Sequence, residues 1–194
     1  QHLTLNNTMD SSDTVTANRI EPRFERRTVD GQELRIAVWT GLSSDKPPLL
    51  LFNGIGSRIE LLAPFVEHLD PEREIIALDI PGTGESPATP FPYRLWMMAR
   101  LVGRLLEQLK IERVDILGVS WGGTLAQQFA LQNPRRCRRL VLAATATGGM
   151  LVPGDLSVLA KMTTPRRFKD PNFMKENLRA LYGGLARTDP ELLA

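Results

Sequence analysis

Gly118-Val119-Ser120-Trp121-Gly122-Gly123 lies between Val114–Val119, which reads as a buried strand, and residues 122–132, which read as a helix. A G-x-S-x-G pattern recurs by chance in unrelated chains, but the strand before it and the helix after it meet the structural condition for a nucleophile elbow. In such an elbow Ser120 occupies a tight turn with strained backbone angles, while Gly118 and Gly122 keep side chains from colliding where strand and helix meet. The hydroxyl is then held clear of the sheet at a helix N-terminus, where free main-chain N–H groups and the helix dipole favour an oxyanion. The competing reading is a helix-capping serine flanked by glycines for close packing.

Outward from this turn the same rhythm repeats. Leu49-Leu50-Leu51-Phe52 is a continuous apolar run stopped by Asn53-Gly54-Ile55-Gly56, and residues 75–80 form another, stopped by Pro81-Gly82-Thr83-Gly84. Such runs are expected of strands buried on both faces. Helical spacing covers Glu60 to Leu69 and Tyr93 to Leu109, and a fourth strand is expected over Leu140 to Ala144. Before them, Arg23 to Val29 and Glu33 to Trp39 flank Asp30-Gly31, a dipeptide suited to a two-residue hairpin turn. Alternating strands and helices imply right-handed crossovers and an α/β fold, its mostly parallel sheet covered by helices on both faces. Residues 1–21 read as a flexible polar arm, 22–147 as the core, and 148–194 as helices and loops over one end of the sheet.

Composition narrows the chemistry. The chain has 194 residues, 24 Lys+Arg against 22 Asp+Glu, 42% hydrophobic residues, one cysteine and two histidines. A net charge of +2 gives no reason to expect a nucleic-acid partner. Cys137 alone makes no internal disulfide, and two distant histidines have no zinc-site spacing, so neither metal nor cofactor is expected. No apolar run approaches the ~18 to 20 residues of a transmembrane segment. A soluble protein of a reducing, cytoplasmic compartment is expected.

Two loops complete the reading around Ser120. Oxyanion donors are expected from the backbone N–H groups of Ile55 and Trp121, with Gly54 allowing close approach of the first loop. Gly54-Ile55-Gly56-Ser57-Arg58-Ile59 lacks the third glycine of a dinucleotide fingerprint, and no Walker lysine follows. Asp79, at the end of its strand, reads as a loop anchor before it reads as a catalytic group. The basic cluster Arg135-Arg136-Cys137-Arg138-Arg139 reads as a solvated helix end.

Together these loops resemble those of the α/β-hydrolase superfamily. Asn53-Gly54-Ile55-Gly56 stands where most members carry His-Gly, Asp79 to Ser86 resembles the D-x-P-G-x-G-x-S turn, and Gly118 to Gly122 resembles the lipase box. A closer similarity is to the intracellular medium-chain-length polyhydroxyalkanoate depolymerases. It rests on Phe52 to Ile55, Pro64-Phe65-Val66, Ala126-Gln127-Gln128-Phe129-Ala130, Val152-Pro153-Gly154, Pro165-Arg166-Arg167-Phe168 and Asp189-Pro190-Glu191-Leu192, and covers roughly residues 23–194. The resemblance implies a serine ester hydrolase working through an acyl-enzyme on Ser120. Its substrate would be a polyester or other ester, with attachment to polymer granules and residues 148–194 as a lid.

A serine hydroxyl needs a base, which the superfamily supplies in the order Ser, Asp, His. No histidine follows Ser120; His2 lies in the arm and His68 on a helix. Asp155, Asp170 and Asp189 end no buried strand and read as caps or solvated charges. Only 49 residues follow Thr145, whereas two more strand-plus-helix units at about 30 residues each, together with a lid, need on the order of 100. The expectation is therefore a C-terminally truncated, nearly inactive piece of a serine hydrolase. The alternatives are another serine member, such as a small-ester esterase, a lipase-like enzyme or a C–C bond hydrolase, and a non-catalytic binding protein on the same fold.

Overall fold

A computed structural model describes residues 21–43, 45–146 and 155–182. They fall in two compact units that divide between Thr145 and Ala146. The first is built on a six-stranded mixed sheet in the order β1-β2-β4-β3-β5-β6. Its strands are β1 (Arg23–Val29), β2 (Gln32–Trp39), β3 (Leu49–Phe52), β4 (Ile75–Leu78), β5 (Val114–Val119) and β6 (Cys137–Ala143). β3 pairs in parallel with both β4 and β5, and β5 with β6. β2 runs antiparallel to both β1 and β4. The hairpin turns at Asp30 and Gly31, both with positive φ (48° and 82°), the geometry of a two-residue turn that favours Asp-Gly.

Alternate strand residues feed two apolar cores, one on each face of the sheet. Leu50, Phe52, Ile76, Leu78, Val114 and Ile116 meet α2 (Leu95–Gln108) and α3 (Trp121–Gln132) on one face. Ala37, Trp39, Leu49, Leu51, Ile75 and Ala77 meet Ile59, Leu62 and Val66 on the other. β3 and β4 are buried on every residue, which is why their sequences read as unbroken apolar runs.

The helix expected over Glu60 to Leu69 is instead a 3₁₀ turn, Ile59–Leu62, followed by the single α-turn α1 (Ala63–Val66). Pro64 sits in the first turn of α1, where its missing N–H removes a bond that would otherwise continue a longer helix. β6 starts three residues before the expected strand. The arginine cluster is consequently not a solvated helix end: Arg138 lies in β6 and pairs with Asp115, and Arg136 Nη1 donates to the Ile111 carbonyl at 2.7 Å. β6 is also the outer strand of the sheet, with Leu140 37% and Val141 51% exposed.

The second unit contains α4 (Leu156–Thr163), α5 (Arg166–Lys169) and α6 (Pro171–Tyr182), with no strand among its described residues. The apolar stretch Met150 to Val152 and the Gly183-Gly184 and Asp189 motifs lie outside the described residues, as do the polar arm through Ile20 and His2.

Candidate active site

Ser120 links β5 to α3 with φ 54° and ψ −121°. A non-glycine residue at positive φ costs on the order of 1–3 kcal/mol and persists only where its surroundings impose it. Here the Ser120 N–H donates to the Ala143 carbonyl of β6, and the Gly123 N–H donates to the Ser120 carbonyl, both at 2.9 Å. The Ser120 side chain makes no capping hydrogen bond, so a capping role does not explain this serine.

Close packing explains two of its neighbours. A Cβ on Gly118 would lie 2.5 Å from the Gly122 carbonyl oxygen, and one on Gly122 would lie 2.2 Å from the Phe52 carbonyl oxygen. Only hydrogen side chains let α3 start this close to β3 and β5. Gly54 differs: a Cβ there would make ordinary 3.7 Å contacts with Ser120 Cβ and Ser57 Oγ. Its amide is also occupied, donating to Asn53 Oδ1 at 2.8 Å.

The two residues expected to supply main-chain donors, Ile55 and Trp121, line one cavity of about 160 Å³, together with Gly54, Ile80, Thr83 and Tyr93. Among the described residues neither amide has a main-chain partner outside the helices, and the Trp121 N–H, at the first position of α3, has none within it. Burial pushes the Tyr93 phenol above its ordinary pKa. Ser120 itself is not among the residues that line this cavity; it adjoins it through the next residue, Trp121, and through Gly54, where an added Cβ would lie 3.7 Å from Ser120 Cβ. A hydroxyl on the strained turn adjoining such a cavity, with those two donor residues on its wall, has the components needed to attack a carbonyl and hold the resulting oxyanion.

Asp79 fixes the loops around the cavity. Fully buried, it accepts from the Ile59 N–H through Oδ1 and from the Glu85 N–H through Oδ2, each at 3.0 Å. Arg35 Nη1 donates to Asp79 Oδ2 at 3.2 Å and to Glu60 Oε1 at 2.7 Å, and its guanidinium lies 4.1 Å from the centre of the Phe24 ring. Burial works against the charge on Arg35, but its bonds to Glu60 and Asp79 outweigh that and hold its pKa above the ordinary value. The sequence reading identified Asp79 as an anchor but missed Arg35. The available signal was a charged residue inside the otherwise apolar stretch Leu34-Arg35-Ile36-Ala37-Val38.

The other titratable candidates are engaged elsewhere. His68 is exposed, and its Nδ1 lies 2.7 Å from the Pro64 carbonyl one turn back. Asp155 caps α4 by accepting from the Ser157 N–H at 2.8 Å. Asp170 accepts from the Asn172 and Phe173 amides and pairs with Arg166.

Comparison with known proteins bears on these features. The family model described as alpha/beta hydrolase fold matches residues 47–190. A poly(3-hydroxyalkanoate) depolymerase of Ectopseudomonas oleovorans is 48% identical over 172 residues, covering 87% of this chain and 59% of that protein. A 2-hydroxy-6-oxononadienedioate/2-hydroxy-6-oxononatrienedioate hydrolase of Klebsiella pneumoniae is 33% identical over 133 residues, covering 66% of this chain and 46% of that protein. The chain thus spans between roughly half and three-fifths of the length of these relatives. The crystal structure of a hydrolase from Pseudomonas aeruginosa superposes with a TM-score of 0.65 at 27% identity, over 84% of this chain and 63% of the other.

Proposed function

The chain belongs to the alpha/beta hydrolase fold family, and on that premise we propose that it is the nucleophile-bearing part of a serine-type carboxylic-ester hydrolase acting on poly(3-hydroxyalkanoate). The observation that carries the reading is the strained backbone of Ser120 at the β5–α3 turn, φ 54°, beside the cavity that Ile55 and Trp121 share. In this reading the turn is a nucleophile elbow within a lipase box. Ser120 Oγ attacks the ester carbonyl and loses its proton to a base; the oxygen of the tetrahedral adduct takes the Ile55 and Trp121 N–H groups. The alkoxide leaves with a proton, and water then hydrolyses the acyl-serine. The depolymerase similarity supports the polyester as substrate. The unit that follows Thr145 serves as a lid, and the protein works in the cytoplasm on the surface of polymer granules. No described helix is long and apolar enough to cross a membrane.

No histidine occurs after Ser120 in these 194 residues. Losing the base costs about a million-fold in a well-studied serine protease, so steady turnover by this chain is expected to be very slow. Covalent trapping counts one event per molecule, so even a slow reaction registers. The serine oxygen bonds to the phosphorus of a fluorophosphonate as fluoride leaves and the hydroxyl proton passes to the buffer, and intact-mass analysis after long incubation is expected to show one adduct, mapped to Ser120 and absent from Ser120→Ala. Adducts spread over other serines with no preference for Ser120 would falsify the nucleophile assignment.

A further inference from the structure

The cavity beside Ser120, at about 160 Å³, is smaller than the ~300 to 1,000 Å³ of sites that enclose small organic ligands. Tyr93, one of its walls, is also a wall of a second hollow of about 420 Å³. That hollow is bounded by the hairpin turn at Asp30 to Gln32 and by Phe91, Trp96, Met97 and Leu101 around the start of α2. The two spaces therefore meet across one aromatic side chain.

Met98, Tyr93 and Leu101 in the lining of the second hollow belong to the core or pack against it, but three other walls do not. Met98, Val102, Leu105 and Leu106 already supply the buried face of α2. Phe91, Trp96 and Met97 nonetheless stand in solvent, 77%, 46% and 41% exposed. Large apolar side chains grouped around a concavity mark a binding surface. Methionine and aromatic walls suit a flexible saturated chain, because the thioether adapts its shape and the rings supply area. The charged lining residues are Asp30 and Arg100, of opposite sign, so the groove has no net charge with which to select an ion.

We propose that this groove receives the medium-length saturated alkyl chain of a hydroxyacyl ester whose carbonyl lies at Ser120, with Tyr93 as the threshold between the two spaces. The proposal rests on the reading of Ser120 given above. It adds a specificity site: the volume near the nucleophile admits the ester group, and the Phe91–Trp96–Met97 groove measures the side chain.

The test is a binding experiment that does not depend on turnover. Methyl-capped trimers of 3-hydroxydecanoate and of 3-hydroxybutanoate are titrated calorimetrically into the Ser120→Ala chain, alone and with Phe91→Ser or Trp96→Ala added. The decanoate trimer is expected to bind more tightly, and each added substitution to cut the ratio of the two affinities about tenfold, the scale of one apolar side chain's burial. Because Phe91 is so exposed, Phe91→Ser keeps the test open even if Trp96→Ala loosens the fold. A ratio unmoved by both substitutions, or equal binding of the two trimers, overturns the proposal. So does self-association of the parent chain that Phe91→Ser abolishes without moving the ratio, since the occupant is then a second copy. Intact chain-length preference with fluorophosphonate adducts that show no preference for Ser120 removes the nucleophile reading and leaves the groove as an alkyl-binding site; the reverse pattern removes the groove alone.

Discussion

Asp79 holds two loops at once, and the loops differ in what they need from it. The amide of Ile59 closes the loop that carries Ile55, while the amide of Glu85 closes the turn that carries Thr83. Arg35 supplies the balancing charge from β2, and both side chains are almost wholly removed from water. Asp79→Asn leaves Arg35 with only the half-exposed Glu60 and Glu85 and weakens two main-chain bonds, so it is expected to cost about 2 kcal/mol. Urea unfolding at neutral pH measures it, and a cost within the error of the unfolding curve would show that the loops are held by something else. The aspartate was legible because it stands at the end of an apolar strand next to a Pro-Gly turn. Its partner was not, because Arg35 lies 44 positions away in the chain and only the antiparallel pairing of β2 with β4 brings the two together. The turn at Ser120 was legible for the opposite reason: its sequence pattern lies within six consecutive residues, although Ala143 and Phe52 also help to hold it.

At the level of elements, strand positions were the easiest to read, since a strand covered on both faces writes its burial into consecutive residues. The segment after β3 was harder: its apolar spacing is helical, but Pro64 limits what the backbone can do with it. The start of β6 was obscured by arginines that look solvated until Asp115 is seen between them. Arg138 donates to both oxygens of Asp115 at 2.7 and 2.6 Å, and Arg73 donates to Oδ2 at 2.9 Å, which ties β6 and the loop before β4 to β5. The bonds from Arg138 hold the Asp115 carboxyl below its ordinary value of 3.8 against the opposing effect of burial. A depressed folded pKa contributes stability that is complete above the unfolded value and is lost as the pH falls through the folded one. Acid unfolding below about pH 4 is therefore expected to draw partly on this group. Asp115→Asn should cost about 2 kcal/mol at neutral pH, discounted because both arginines are partly exposed, and should flatten the decline of the urea midpoint between about pH 5 and pH 2. Parallel slopes for the two proteins would exclude Asp115 as the source.

For the molecule as a whole, the two margins of the sheet are not alike. β1 carries Arg23, Glu25, Arg26 and Arg27 beside the exposed Phe24, and its charges are of the kind that discourage another strand from docking. Along β6, among the described residues, no strand pairs with the outer side, and Leu140 and Val141 face solvent there. Concentrated solutions are expected to contain a species joined β6 to β6, and Val141→Lys, which places like charges across the joint, should weaken it about tenfold in sedimentation equilibrium. A mass independent of concentration for the parent chain would rule this out. With one sticky rim and one charge-lined rim, such coupling uses itself up: two copies meet about a twofold axis and present only the charged borders to a third, so growth stops at the pair instead of running on into fibres.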